Sequence, residues 1–239
     1  MTESQLLAIL ISVCALTYSF EIVFGLAGTI MMLPIMGFFM DSKTLVIYSL
    51  LPQILTTVIA LSKSYKKSNL RIFFSMMAFA AVGGVLGGYF FVQIPQDLFR
   101  RLLALVIVMA GIFLIVSPNF RINATGNRIL DFSAGLSHSL FGISGPIVMT
   151  RLLGTFDDKT LIRNNALMFF CGLNSIRAVY YFVNGAITPD IQKMYLVSAF
   201  FLIPILFFAE RLHVRINDVI FKRVVAWIIL FCGIIYLIK

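Results

Sequence analysis

One basic residue, Arg177, lies deep inside an apolar stretch of the sequence. A charge at that depth in a membrane is costly enough to indicate a functional site. A guanidinium binds oxyanions such as carboxylates through paired hydrogen bonds, and Asn174 lies within one turn of it. The pattern predicts that Arg177 and Asn174 bind a small anion. The competing structural interpretations are that Arg177 reaches the outer interface or pairs with Glu21.

Two glycine-rich breaks interrupt apolar sequence, and each predicts a junction of two half-helices. They read Phe24-Gly-Leu-Ala-Gly-Thr and Phe141-Gly-Ile-Ser-Gly-Pro. The N-terminus of a half-helix directs free N–H groups and a positive dipole end into a cavity, where an anion can bind. Close helix packing by small residues is the alternative, and we prefer it for the glycine run at 83–88. The break residues expected to bind substrate are Gly25, Gly28, Thr29, Gly142, Ser144, Gly145 and Pro146.

Polar side chains in neighbouring segments would complete such a site. Gln53 and Thr57 follow a proline that can open a helix, and they would face Arg177 from the first half of the chain. Hydrogen bonding between helices is the alternative for this pair. Glu21 and His138 each precede a break, which makes them candidates for proton coupling, although a membrane histidine is more often a structural donor.

The second break also resembles the Gly-x-Ser-Gly element of rhomboid-type intramembrane serine proteases, with Ser144 as nucleophile. Such chemistry needs a histidine base within hydrogen-bond reach on another span. His213 lies in a charged connector, and His138 lies on the same segment as Ser144. The first break has Ala27 at the corresponding position. We therefore expect no enzyme and no catalytic residue.

The composition places these residues in a lipid bilayer. Hydrophobic residues make up 60% of the chain and charged residues 12%, which is too little polar surface for a water-soluble domain. The net charge of +9 resides in short connectors, so a positive-inside bias explains it better than nucleic-acid binding. Cys14, Cys171 and Cys232 have no metal-ligand spacing, and we expect no disulfide, metal or cofactor. The N-terminus lacks a basic region and a cleavage site, which predicts a retained first segment.

Repetition along the chain predicts two related halves. The break at Phe24 returns at Phe141, and Phe99-Arg-Arg-Leu-Leu-Ala returns as Phe221-Lys-Arg-Val-Val-Ala. We expect repeats at 1–120 and 121–239 that form one transport domain. The apolar segments are predicted at about 4–40, 43–62, 71–92, 98–117, 128–154, 163–184, 193–210 and 219–238.

The distribution of Lys and Arg predicts how the repeats are oriented. If the fifth segment dips into the membrane and returns, most basic connector residues fall on one side, and the second repeat is inverted relative to the first. We expect an all-α protein of the cell (cytoplasmic) membrane with its basic connectors in the cytoplasm. No Lys or Arg precedes the first segment, so the charges do not decide whether it spans. Its long lead-in favours seven crossings, with six as the alternative.

With these motifs the sequence resembles the sulfite exporter TauE/SafE family of membrane transporters. The resemblance covers nearly the whole chain and includes the duplicated breaks, Pro34, the Pro52/Thr56/Thr57 segment and the glycine run at 83–88. Members are associated with export or uptake of sulfite, sulfonates such as taurine or sulfoacetate, and other small organic anions. The family's usual Gly-x-Gly-Gly-Gly stands here as Gly25-Leu-Ala-Gly-Thr and Gly142-Ile-Ser-Gly-Pro. The resemblance therefore implies the fold but no particular anion.

The sequence thus predicts a secondary transporter that moves a small anion across the bilayer by alternating access. An anion channel and a structural assembly subunit are the alternatives. The sequence contains no Gly-x-x-x-x-Gly-Lys-Ser/Thr loop, so an ion gradient, a substrate gradient or a partner would supply the energy, and protons are one candidate for coupling. The sequence does not decide whether the protein forms a homo-oligomer.

Overall fold

The computed structural model describes residues 2–24, 28–64, 68–116 and 123–211, together with 227, 230–231 and 233–235. Every regular element within these residues is an α-helix. The helices are α1 (Glu3–Phe24), α2 (Gly28–Met36), α3 (Ser42–Tyr48), α4 (Leu50–Ser64), α5 (Leu70–Gln93), α6 (Gln96–Val116), α7 (Ala124–Phe141), α8 (Gly145–Leu153), α9 (Lys159–Val183) and α10 (Pro189–Arg211).

Five stretches of these helices are long and apolar enough to cross a membrane: Glu3–Val23, Ser42–Ser62, Leu70–Gln93, Thr160–Val183 and Pro189–Arg211. Their outer faces carry large apolar side chains, such as Phe182, which is 80% exposed, and Phe200, which is 76% exposed. Contact of such apolar faces with lipid is favourable, whereas their contact with water would be unfavourable. The chain is therefore an all-α, multi-pass integral membrane protein, as the composition predicted.

Polar side chains set where several of these helices begin. Asn69, Asn123 and Asp158 each accept a hydrogen bond from a backbone N–H in the first turn of the helix that follows, at 3.2, 2.8 and 2.8 Å. These residues lie in the predicted connectors. The predicted segments therefore correspond to one helix, or to two helices where the chain is broken. The eighth segment lies mostly outside the described residues, with 227, 230–231 and 233–235 helical.

The glycine run of α5 packs closely against α7 and α9. A Cβ atom on Gly83 or Gly87 would collide with backbone atoms of α7, at Phe132 and Leu136 respectively. On the neighbouring face, a Cβ on Gly88 would meet the Tyr180 ring of α9 at 2.8 Å. The prediction that this run serves helix packing is confirmed.

These contacts also show the helix directions. Going from Gly83 to Gly87 along α5, the neighbours advance from Phe132 to Leu136 along α7, and the α9 neighbours advance in the same sense. The helices α5, α7 and α9 are therefore parallel and begin at one end of the bundle. Because α8 joins the end of α7 to the beginning of α9, it must run back along α7, as predicted for the fifth segment. The 3.3 Å ion pair of Asp131 on α7 with Arg151 on α8 fits this hairpin.

The first segment turns back in the same way. Cys14 Sγ lies 3.4 Å from Met32 Sδ, and Tyr18 Oη lies 2.8 Å from Thr29 Oγ1, so α2 runs back along α1. The beginning of α1 and the end of α2 consequently lie at the same end of the bundle. The expectation of seven crossings assumed that this segment spans, and the observed hairpin instead fits the alternative of six.

Candidate functional site

The two breaks meet around a small cavity at the centre of the bundle. Its volume is about 20 Å³, which is room for about one water molecule. Residues of α1, α2, α4, α7, α8 and α9 line it. Most of the predicted site residues lie in that lining: Glu21, Thr29, Gln53, His138, Gly142, Ser144, Gly145 and Pro146.

The N-terminus of α2 is occupied by a side chain of the protein itself. The Glu21 carboxylate accepts hydrogen bonds from the backbone N–H groups of Gly28 and Thr29. A Cβ on Gly28 would collide with Oε2 of this carboxylate and would meet the Tyr18 ring at 2.7 Å. Only glycine therefore leaves space for the carboxylate at this helix end. Glu21 is 3% exposed, and its Oε1 atom has no hydrogen-bond partner among the described residues.

The N-terminus of α8 is formed differently. Gly142 ends α7 in the left-handed conformation, with φ of 73°, and its N–H donates to His138 O at 2.8 Å. Ser144 is the N-cap of α8, but its side chain makes no capping hydrogen bond, and Pro146 has no N–H to satisfy. Gly145 and Pro146 of this first turn line the cavity, and among the described residues no carboxylate accepts a hydrogen bond from its backbone N–H groups.

His138 connects this second break to α9. Its Nδ1 lies 2.9 Å from Ser144 Oγ, and its Nε2 lies 3.0 Å from Asn174 Oδ1. Arg177 Nη1 donates to the same Oδ1 at 3.2 Å, which fixes that atom as an acceptor. The network therefore assigns the proton to Nε2, while Nδ1 accepts from the Ser144 hydroxyl. The ring stacks on Phe170 with an interplanar angle of 8°.

Ser144, His138 and Asn174 thus form a hydrogen-bonded series of the kind that activates a serine nucleophile. The expectation that His138 could not serve Ser144 from the same segment is wrong on geometry, because the left-handed turn at Gly142 folds the chain back. The ring is reversed relative to a serine-protease triad, in which Nε2 faces the serine.

Arg177 lies behind the cavity wall, 1% exposed, and does not reach an interface. Its Nη1 donates to Gln53 Oε1 at 2.8 Å, and its Nη2 donates to Val46 O at 2.7 Å and to Ser49 Oγ at 3.1 Å. Its Cζ atom lies 5.5 Å from the centre of the Tyr181 ring. These partners are all uncharged. No ion pair within the described residues includes Arg177 or Glu21, so the predicted structural pairing of the two does not form.

Gln53 links Arg177 to the second break. Its Nε2 donates to Gly142 O at 3.2 Å, while its Oε1 accepts from the guanidinium. Two buried donors of this network, Arg177 Nε and Asn174 Nδ2, have no hydrogen-bond partner among the described residues. Unpartnered buried donors are costly and often mark a ligand position.

Four predicted residues are placed outside the cavity lining. One of them, Gly28, lies at the N-terminus of α2 against the Glu21 carboxylate. Asn174 and Arg177 lie behind it, in contact with His138 and Gln53. Thr57 is buried, and its hydroxyl donates to carbonyl oxygens of its own helix at Gln53 and Ile54. Gly25 lies outside the described residues.

Two residues of the network were not expected from the sequence. Tyr18 hydrogen-bonds Thr29 at the first break, and Ser49 binds the Arg177 guanidinium. Tyr18 carries a weak signal, because it lies one helical turn before Glu21 and so on the same face of α1. Ser49 carries no local signal, since it is 128 residues from Arg177 in sequence.

Comparison with known protein families identifies the chain. Residues 10–236 match the family described as sulfite exporter TauE/SafE. The chain belongs to the TauE/SafE family. This family consists of membrane transporters, and the match extends over both breaks and over nearly every helix described above. Comparison with curated proteins and with solved structures found no match.

Proposed function

We propose that this protein is a secondary carrier that moves a small anion, such as sulfite, a sulfonate or another small organic acid, across the cytoplasmic membrane. Membership of the TauE/SafE family supports transport of sulfite or a related anion. The proposed position of the bound anion rests on the geometry of the two glycine-rich breaks.

The observation that carries the proposal is an uncompensated guanidinium beside the N-terminus of a half-helix. Arg177 is buried among uncharged acceptors, and a buried cation without a partner anion is unfavourable by several kcal/mol. The first turn of α8 adds free N–H groups and a positive dipole end on the other side of Gln53 and His138. An anion bound between them would satisfy both.

The proposed roles follow from position. Gly142, Ser144, Gly145 and Pro146 would contact the anion directly, as would Thr29 and Gln53. Arg177 and Asn174 would act through Gln53 and His138, as positioning residues that also supply positive potential. Because the cavity holds about one water molecule, it is too small for a sulfonate and represents a closed state.

Alternating access is supported by the helix directions. The α3–α4 pair and α9 are antiparallel, since Val46 contacts Arg177 while Asn69, beyond the end of α4, contacts Asn165. The corresponding helices of residues 1–120 and 121–239 would therefore be inverted repeats, and rocking between them would open the cavity to either side. In this orientation the basic connectors face the cytoplasm.

We assign Ser144 to the hydrogen-bond network and not to a nucleophile. The equivalent residue in the first repeat is Ala27, which has no hydroxyl group. The orientation of the His138 ring, which is reversed relative to a serine-protease triad, also argues against a nucleophilic Ser144.

The test is flux of sulfite, sulfoacetate, taurine and methanesulfonate into proteoliposomes, for the native protein and Arg177→Gln. We expect saturable uptake of at least one anion, reduced about tenfold or more in the variant because removing the buried positive charge weakens anion binding by about 1.4 kcal/mol or more. Arg128→Gln is the matched control, since Arg128 is exposed and only covers the Phe79 ring. Equal flux through native and Arg177→Gln proteins would exclude Arg177 from the site.

The same vesicles separate a carrier from a channel. A carrier exchanges labelled anion inside for unlabelled anion outside and accelerates when the opposite side is loaded. A channel instead passes current without such acceleration. Conductance without exchange would contradict alternating access while leaving the anion site in place.

A further inference from the structure

The two half-helix N-termini at the cavity are not equivalent. Glu21 and His138 occupy the same position in the two repeats, each three residues before the Phe-Gly of a break. Glu21 binds the N–H groups of its half-helix, whereas His138 hydrogen-bonds the Ser144 hydroxyl and Asn174 Oδ1 and not a backbone N–H group of α8. One anion position is thus filled by the protein, and the other is open.

We propose that Glu21 is a built-in anion at the N-terminus of α2, and that the transported anion enters the cavity only when Glu21 takes up a proton on Oε1. This inference rests on the proposed carrier function and specifies its coupling: one proton moves with each substrate anion. The carboxylate becomes a carboxylic acid when the anion enters, so the net charge of the cavity stays the same in the empty and loaded states.

Burial and the unpartnered oxygen support this assignment. Oε1 of Glu21 has no hydrogen-bond partner in the described part of the chain, and the residue lines the cavity together with Gly145 and Pro146. A proton taken up on this oxygen would therefore belong to a residue that borders the place where the anion would bind. As an O–H group it would donate to that anion, and the neutral acid would hold the N–H groups of Gly28 and Thr29 less strongly.

Electrostatic repulsion explains why the ionised Glu21 carboxylate and the transported anion cannot occupy the cavity together. The lining contributed by α2, α4 and α8 is uncharged, so two negative charges there would repel strongly in a medium of low dielectric constant. Arg163 is already engaged by Glu210 at 2.9 Å and by the Ile22 carbonyl. Among the described residues, the titratable or charged side chains around the cavity and the adjacent end of α1 include Tyr18, His138, Arg163, Arg177 and Glu210.

The test uses methanesulfonate, an anion that does not titrate near neutral pH, so that any proton movement belongs to the protein. An inward methanesulfonate gradient is applied to proteoliposomes that contain a pH-sensitive dye. We expect the lumen to acidify with the native protein and with Glu3→Gln, the control on the exposed part of α1. Glu21→Gln should lower the acidification measured per labelled methanesulfonate exchanged, whatever its absolute rate of exchange.

The outcomes separate this inference from the proposed function. Acidification per exchanged methanesulfonate that is equal in Glu21→Gln and the native protein overturns the role of Glu21. If Glu21→Gln does not fold, proton uptake by the native protein on adding methanesulfonate in weakly buffered detergent solution decides, and absence of uptake overturns the inference. Methanesulfonate flux through the native protein without proton movement contradicts the inference alone. Absence of flux for every anion tested contradicts the carrier function and, with it, this coupling.

Discussion

Gly142 has the backbone conformation on which the second break depends. Its φ of 73° is strained for any residue with a side chain, and a Cβ there would lie 3.2 Å from Ser49 Oγ and 3.4 Å from Arg177 Nη1. The same residue therefore sets the turn that brings Ser144 back to His138 and leaves space for the guanidinium network. A second glycine with positive φ, Gly185, has nothing within 4 Å of such a Cβ and separates the two effects.

We predict that Gly142→Ala impairs transport while Gly185→Ala does not. The strained backbone costs about 1–2 kcal/mol in both variants, so this contribution should lower the free energy of unfolding by a similar amount in each. Only Gly142→Ala also displaces the Arg177 network, so only this variant should lose anion flux. Thermal unfolding in detergent and proteoliposome flux measure the two effects. Native flux through Gly142→Ala would show that the cavity tolerates a shift of this network.

The residues recognised from sequence were those whose type contradicts their surroundings. Arg177 and the glycines of the breaks are conspicuous in apolar sequence, because charge and broken backbone are both unfavourable in lipid. Hydroxyls carry no such signal. Ser12, Thr57 and Ser175 donate to carbonyls within their own helices. Ser49 likewise donates to a nearby carbonyl, at Val46, and nothing local shows that it also accepts from Arg177. Its role depends on a contact between distant helices.

At the level of elements, the packing of α5 on α7 is determined by glycines that face backbone. Gly87 lies against the carbonyl of Leu136, which belongs to a helix and cannot move alone. Gly172 on α9 instead faces the flexible end of Met77, whose Sδ would lie 3.0 Å from a Cβ. A methyl group added at Gly87 would therefore have to displace the backbone of α7, whereas one added at Gly172 would have to displace only the Met77 side chain.

We predict that Gly87→Ala destabilises the protein by about 1–3 kcal/mol, because α5 and α7 must separate to accommodate the methyl group. Gly172→Ala should stay within about 0.5 kcal/mol of the native protein, since Met77 can change rotamer. Chemical or thermal unfolding of the purified protein in one detergent compares them. Equal losses in both variants would mean that the α5–α7 contact is less close than the geometry shows.

The sequence predicted the positions of the helix breaks better than the direction of the half-helix that follows each break. Glycine and proline indicated where α1 and α7 end, because the reasons are local. Whether α2 continues outward or turns back depends on contacts such as Tyr18 with Thr29, across the break. Arginine and lysine counts could decide this for α8, which lies between basic connectors, but no basic residue precedes α1.

For the whole molecule, the two hairpins have a consequence for sidedness. The hairpin of α1 and α2 enters from the end of the bundle where α5 ends, since Gln96 Nε2 donates to Asp41 Oδ1 at 3.0 Å. The hairpin of α7 and α8 enters from the opposite end, where α5 begins. The half-helix N-termini therefore approach the cavity from opposite sides, as the proposed carrier with inverted repeats requires.

This arrangement predicts the side on which single introduced cysteines react with a membrane-impermeant maleimide. In a background with Cys14, Cys171 and Cys232 replaced by serine, cysteines at Thr2, Asp41 and Asn184, all exposed, should be labelled in intact cells. A cysteine at the exposed Asp157 should be labelled only after permeabilisation, because its connector lies on the basic side. Labelling of positions 2 and 41 from opposite sides would restore seven crossings. It would also remove the symmetry on which the proposed alternating access depends.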